Sequence, residues 1–308
     1  MDYMSDVRII FMGTPEFAVP SLDALVAYGY PIVAVVTAPD KPQGRGHKIL
    51  PPPIKVAAEQ YGIPVLQPTN LQSPSFLEIL DSYEANLYVV VAFRMLPKLV
   101  WNKPSLGTIN LHASLLPQYR GAAPINWAIM QGELTTGLTT FFIEEAIDTG
   151  NILLQDKEPI YEMDTAGTLS ERLKYKGANL LLETVQAIAS NNCKAVPQSN
   201  VVLHKAPKIY TEDCQINWHQ STAKVFNFIR GLSPYPGAWT ILNNIHTKIL
   251  LAHPLPIPTC SPGEFCSDNK NYLCIGTQDG AISVEQLQPA GKKLMDIQSF
   301  LRGHRLFS

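Results

Sequence analysis

The chain has 308 residues, 46% of them hydrophobic and 16% charged, with a formal net charge of −2. That is long enough for two cores, and too evenly charged for a wholly basic nucleic-acid coat protein or an acidic tail protein. The N-terminus carries Asp2 and Asp6 and has no apolar stretch of the secretory kind, and no apolar run approaches the ~18 residues that span a bilayer. A soluble, cytoplasmic protein with reduced cysteines is therefore expected; Cys193, Cys214, Cys260, Cys266 and Cys274 have no C-x-x-C spacing.

In chain order, strand-like and helix-like stretches alternate. Val7 to Met12 reads as a buried strand, Gly13-Thr14-Pro15 as a turn and Glu16 to Tyr28 as a helix. Strands follow at Pro31–Thr37, Pro64–Leu66, Leu87–Ala92, Gly107–Leu111, Thr136–Ile143 and Ile152–Ile160. Helices fall at Ile54–Tyr61, Ser73–Tyr83, Gly121–Met130 and Thr165–Ser190. This pattern predicts an α/β domain with a Rossmann-like, mostly parallel sheet over residues 1–190. Ligands of such sheets sit beyond the carboxyl ends of the strands, where the loops from Gly13, Ala38, Ala92 and His112 converge. Polar Asn191–Pro207 reads as a linker, and residues 208–308 as a smaller OB-like β-barrel: a helix at Ser221–Gly231, short strands at Ala238–Leu242, Lys248–His253, Tyr272–Gly276 and Ala281–Gln288, and a last helix at Asp296–Arg302.

Gly13-Thr14-Pro15 lacks the spaced glycines of a dinucleotide fingerprint, and Pro15 removes an N–H that a phosphate needs, so NAD or ATP binding is not expected. In an extended strand Asn110 and His112 project to one side, a donor pair suited to an oxygen gaining negative charge. Asp148, beside a turn glycine in Ile147-Asp148-Thr149-Gly150, can orient such a histidine and stabilise its cation. Spacing alone leaves open a polar strand end and an ordinary turn aspartate, and does not establish that the three meet. Asp40–Lys55 carries Lys41, Arg45, His47, Lys48 and Lys55 with no acid after Asp40, either a phosphate-gripping loop or a solvated one. From Ala206 onward 9 basic residues stand against 7 acidic ones, a weak bias toward nucleic acid. Tyr235 and Trp239 are expected in the second core.

The segments IIFMGTPEFAVPSLDAL, TAPDKPQGRG, INLHASLLPQYRGAAPINWAI, IDTG and LQPAGKK stand in an order that resembles the folate-dependent formyltransferases, and within them the methionyl-tRNA formyltransferase family, over nearly the whole chain. The resemblance implies a catalytic trio of Asn110, His112 and Asp148. It implies a folate pocket lined by Val91, Ala92, Phe93 and Leu96 and by Ser114, Leu115, Leu116 and Pro117, and tRNA contacts from Lys41, Arg45 and Lys48. It also implies 10-formyltetrahydrofolate as co-substrate, initiator Met-tRNA as partner, no metal, no membrane and a monomer. Phe93-Arg94-Met95 departs from the smaller residues, often Tyr-Gly, expected beside the pterin.

Overall fold

The computed structural model describes residues 6–43, 48–199, 201, 204–258 and 260–303. The chain packs as two compact units, one of Met1–Arg120, Gly137–Glu158 and Ser170–His204, the other of Gly121–Thr136, Pro159–Leu169 and Lys205–Ser308. Among the described residues no helix is long and apolar enough to cross a membrane.

The first half runs β1 (Ile9–Gly13), α1 (Val19–Ala27), β2 (Ile32–Val36), β3 (Lys41–Gln43), β4 (Lys48–Leu50), α2 (Pro53–Gln60), β5 (Val65–Leu66), α3 (Pro74–Ser82), β6 (Leu87–Val91), α4 (Lys98–Trp101) and β7 (Thr108–His112). It continues with β8 (Arg120–Gly121), α5 (Pro124–Met130), β9 (Thr135–Phe142), β10 (Ile152–Pro159), α6 (Ala166–Ala189) and β11 (Lys205–Ala206). The main sheet has the order β10-β9-β7-β6-β1-β2-β5. The five strands from β7 to β5 run parallel, and β9 adds to β7 antiparallel. Every residue of β1 and of β6 is buried, as strands covered on both faces must be. α2, α3 and α5 each begin with proline in the first turn, where its missing N–H costs nothing.

Two of the differences from the sequence expectation bear on the strand ends. The first helix opens as a 3-10 turn over Glu16–Ala18 before α1 begins. The basic stretch is not a plain loop: β3 and β4 pair antiparallel, with Lys41 opposite Leu50 and Gln43 opposite Lys48. Pro42 and the short three-residue strands hide that hairpin from periodicity.

The second unit is built on α7 (Thr222–Leu232), β12 (Ala238–Leu242), β13 (Ile245–Leu255), β14 (Phe265–Ser267), β15 (Leu273–Gly276), β16 (Ala281–Pro289), β17 (Met295–Asp296) and α8 (Ile297–Gly303). The strands form an antiparallel sheet of order β12-β13-β16-β15-β14, with β17 added to β16. Among the described residues β12 and β14 do not pair, so the OB-like sheet is a half-barrel. Val225, Phe226, Ile229 and Leu232 fall at helical spacing on α7 and pack with Ile249, Ile275, Ile282, Leu287 and Phe300. Asn243 and Asn244, both at positive φ (45° and 61°), form the two-residue turn that matches strand twist between β12 and β13.

Trp239 is half-buried against this core, its Nε1–H donating to the Thr211 carbonyl at 2.8 Å. Tyr235 is not in the core: it is 81% exposed, because Pro234, Pro236 and positive-φ Gly237 make the segment a turn whose middle side chain projects outward. None of the five cysteines forms a disulfide among the described residues.

Candidate active site

β1, β6 and β7 end side by side. Gly13 is in register with Val91, and Val91 with Leu111, so the turn after β1, the loop after β6 and His112 share one sheet edge. Gly13 is required there by space: a Cβ on it lies 2.8 Å from Ala18 Cβ and 3.0 Å from the Val91 carbonyl. The hairpin after β2 leaves the same edge three strands from β7, roughly 14 Å away at ~4.8 Å per strand spacing.

His112 is 6% exposed. Its Nε2 lies 2.9 Å from the Tyr119 carbonyl oxygen. A carbonyl only accepts, so Nε2 carries a proton and donates. Nδ1 faces Asp148 Oδ2 at 3.8 Å, beyond hydrogen-bond range, with the histidine buried and the carboxylate half-buried. Phe141 meets the ring edge-on at 6.5 Å. Asn110 is half-buried, two residues earlier on the same side of β7. The structure thus brings His112 and Asp148 together and places Asn110 on their strand face.

Asp148 and Tyr119 have φ of 55° and 60°, and Ala92, the first residue after β6, has 50°. Left-handed backbone is uncommon for tyrosine and alanine, and such strain collects at functional sites. Gly150 is dictated by close approach, since a Cβ there falls 1.7 Å from the Phe142 carbonyl.

The loop after His112 is held from within. Thr139, opposite His112 in register on β9, is fully buried. Its hydroxyl donates to the Ser114 carbonyl (2.7 Å) and accepts from the Leu116 N–H (3.1 Å) and from Gln155 Nε2 (2.9 Å). That uses its one donor and both lone pairs. Gln155 also donates to the Leu116 carbonyl at 2.9 Å, and the Ser114 hydroxyl to the Gln118 carbonyl at 2.6 Å. Of the four residues Ser114–Pro117, Ser114 and Leu116 are buried while Leu115 and Pro117 are half-buried. A Cβ on Gly137 lies 2.2 Å from the Asp156 carbonyl and 2.5 Å from the end of the Leu115 side chain, so the close backbone dictates that glycine, which also leaves the leucine room. Thr139, Gln155 and Gly137 carry no motif signal.

In the loop after β6, Ala92 is exposed and Phe93 half-buried, while Val91 and Leu96 are buried. Arg94 donates to the carbonyls of Thr69 (3.1 Å) and Pro68, with its guanidinium over the Phe93 ring. That accounts for the unexpected Phe93-Arg94 pair: it ties the loop to the segment after β5.

Lys41 is exposed on β3, and the backbone of Lys48 stands opposite Gln43; Arg45 lies outside the described residues. Lys55, grouped by sequence with the phosphate-gripping cations, is instead engaged at the foot of the hairpin. Its Nζ donates to Asp40 Oδ2 (2.8 Å) and Gln67 Oε1 (3.0 Å), and Gln67 Nε2 donates back to Asp40 Oδ1 (2.6 Å) and the Ala38 carbonyl (2.8 Å). The Lys55 and Gln67 hydrogen bonds hold the Asp40 carboxyl below the usual carboxylate range.

A parallel-rich α/β sheet with Asn, His and Asp at its strand ends is a setting for acyl-group chemistry, and the chain matches the Formyl transferase family over residues 7–185 and the Formyl transferase, C-terminal domain over 208–305. It is an enzyme of the formyl transferase class. It is 47% identical over 311 residues to the methionyl-tRNA formyltransferase of Bacteroides fragilis, covering 98% of this chain and 96% of that protein. It is 49% identical over 317 residues to that of Azobacteroides pseudotrichonymphae, covering 97% of each. The chain belongs to the methionyl-tRNA formyltransferase family. Among solved structures the fold matches WlaRD, a sugar 3N-formyl transferase crystallised in the presence of dTDP and 5-N-formyl-THF, with TM-score 0.68 and 23% identity over 93% of this chain and 99% of that one. It also matches HypX from Aquifex aeolicus, with TM-score 0.69 and 20% identity; 97% of this chain is covered, but it spans about half (48%) of HypX.

Proposed function

We propose that this protein transfers the formyl group of 10-formyltetrahydrofolate to the amino group of methionine on initiator Met-tRNA, for translation initiation, as a cytoplasmic monomer. The observation that carries the reading is the pairing of buried His112 with half-buried Asp148 at the carboxyl end of β7, with Asn110 on the same face of that strand as His112.

The neutral amine attacks the formyl carbon and the carbonyl oxygen becomes an oxyanion. The Asn110 amide donates to it. Nε2 of His112 is committed to Tyr119, so Nδ1–H of the imidazolium is the ring donor left for the oxyanion. Asp148 stabilises that cation and takes the amine proton through a water; as the tetrahedral intermediate collapses, the bond from carbon to folate N10 breaks and the same proton passes back through the water to N10, which leaves as an N–H. Val91, Ala92, Phe93 and Leu96 with Ser114, Leu115, Leu116 and Pro117 frame the folate pocket, the buried members setting the loop and the others touching the ring. Lys41, Arg45 and Lys48 meet the acceptor end of the tRNA. In this reading residues 1–190 form the catalytic domain, 191–207 the linker, and 208–308 the domain that holds the tRNA body.

The test is a transfer assay with 10-formyltetrahydrofolate and three acceptors: Met-charged initiator tRNA, Met-charged elongator tRNA and a UDP-amino-sugar. Transfer to the initiator alone is expected. Transfer to the sugar overturns the acceptor, and transfer to none overturns the chemistry.

A further inference from the structure

The stretch that follows α6 is tied to the candidate site. Ile152 and Val196 exchange backbone hydrogen bonds, 2.8 Å each way, which lays the chain before Gln198 against the start of β10. Gln198 Nε2 then donates to the Asp148 carbonyl at 2.9 Å and the Gly150 carbonyl at 2.8 Å, bracketing Thr149. Its Oε1 accepts from Arg120 twice, from Nε at 3.1 Å and Nη2 at 2.6 Å. Donors on one side and acceptors on the other leave the amide a single satisfied orientation. Arg120 directly follows Tyr119, whose carbonyl holds His112 Nε2. The Tyr119-Arg120 dipeptide therefore fixes both partners of the pair: histidine through its own carbonyl, aspartate through Arg120 and Gln198.

The ring matters because of what surrounds Asp148. Residues 144–147 are exposed and offer Asp148, whose φ is 55°, little packing of their own. The local hydrogen bond from the Thr149 hydroxyl to the Ala146 carbonyl (2.9 Å) joins the loop only to itself. Gln198 and Arg120 tie it to the segment that orients the imidazole.

We infer that Gln198, oriented by Arg120, is a positioning residue for formyl transfer: it sets the Asp148 carboxylate against His112 without touching substrate. This rests on the reading of Asn110, His112 and Asp148 given above.

The test is a double-mutant cycle of Gln198→Leu with Asp148→Asn in the full-length protein, assayed with 10-formyltetrahydrofolate and initiator Met-tRNA. Gln198→Leu alone is expected to lower kcat about 10- to 100-fold, the cost of a misplaced catalytic group, with both KM values within about twofold of wild type. In the Asp148→Asn background it is expected to cost less than about twofold, because it acts through that carboxylate. Unchanged kcat in the single variant, or full additivity in the double, overturns the inference. Full activity in Asp148→Asn alone overturns the reading of the site instead. Should Gln198→Leu fail to fold, Arg120→Leu runs the same cycle, with the same non-additivity expected and additivity again overturning it.

Discussion

Two connections leave the same edge of the main sheet and are held in opposite ways. The loop after β7 is fixed by donors and acceptors aimed at its backbone: the buried Thr139 hydroxyl, the Gln155 amide and the ring N–H of buried His112 on the Tyr119 carbonyl. The hairpin after β2 is fixed at its foot by an ion pair, Lys55 with Asp40, whose side chains are 19% and 30% exposed. Hydrogen bonds to backbone groups, set around a buried hydroxyl, hold atoms in place with little dependence on ionic strength, which a reacting centre needs. A half-exposed ion pair is screened and worth little by itself, but it neutralises a lysine beside a basic hairpin and sets where the hairpin starts. In the proposed function, chemistry and recognition thus sit on one scaffold with different fastenings.

The comparison breaks first at the chemistry. His112→Ala removes a donor to the oxyanion and should lower kcat about 100- to 1000-fold, with tRNA affinity by filter binding unchanged; a variant retaining wild-type turnover removes the trio. Next comes the fastening of the loop. Thr139→Val keeps the shape but leaves the Ser114 carbonyl and the Leu116 N–H without their partner in a buried site. It should destabilise the protein by about 1–3 kcal/mol in urea unfolding, and it should raise the KM for 10-formyltetrahydrofolate more than the KM for tRNA. Equal changes in the two would mean that the loop does not serve the folate side in particular.

How much of this was legible in the residues themselves follows from distance along the chain. Asn110 and His112 could be paired because a strand alternates with period two, and the parallel sheet followed from buried strands separated by helices. Asp148 was marked by its turn glycine, but its meeting with His112 needed the register of β7 on β9 and the return of the chain at Gly150. Thr139 read as one more β-branched strand residue, and only its place opposite His112 makes it a buried anchor. Gln198, 50 residues from Asp148, lay in a polar stretch with no period, where an amide carries no signal of its target. Lys55 read as a free cation because its partners, Asp40 and Gln67, come together only when β2 and β5 pair. Tyr235 was misjudged because aromatic character marks a core only where the backbone turns the side chain inward.

The smallest expected effect is also the one that separates the two roles of a lysine. If Lys55 gripped a phosphate, Lys55→Met would weaken tRNA binding and lower its salt slope by about one, while Asp40→Ala, which removes a negative charge near the tRNA, would strengthen binding. If Lys55 braces the hairpin, both substitutions raise the KM for tRNA, about two- to fivefold, with kcat at saturating tRNA unchanged and the slope retained. The hydrogen bonds from Lys55 and Gln67 lower the Asp40 carboxyl below its ordinary value, so the brace is complete above the ordinary aspartate value of about 4 and is lost only as pH falls through the lowered one. The brace therefore contributes no pH dependence to the wild-type KM for tRNA between about pH 6 and 8. The sign of the Asp40→Ala effect decides, because the brace and the phosphate contact predict opposite directions for the same change in charge.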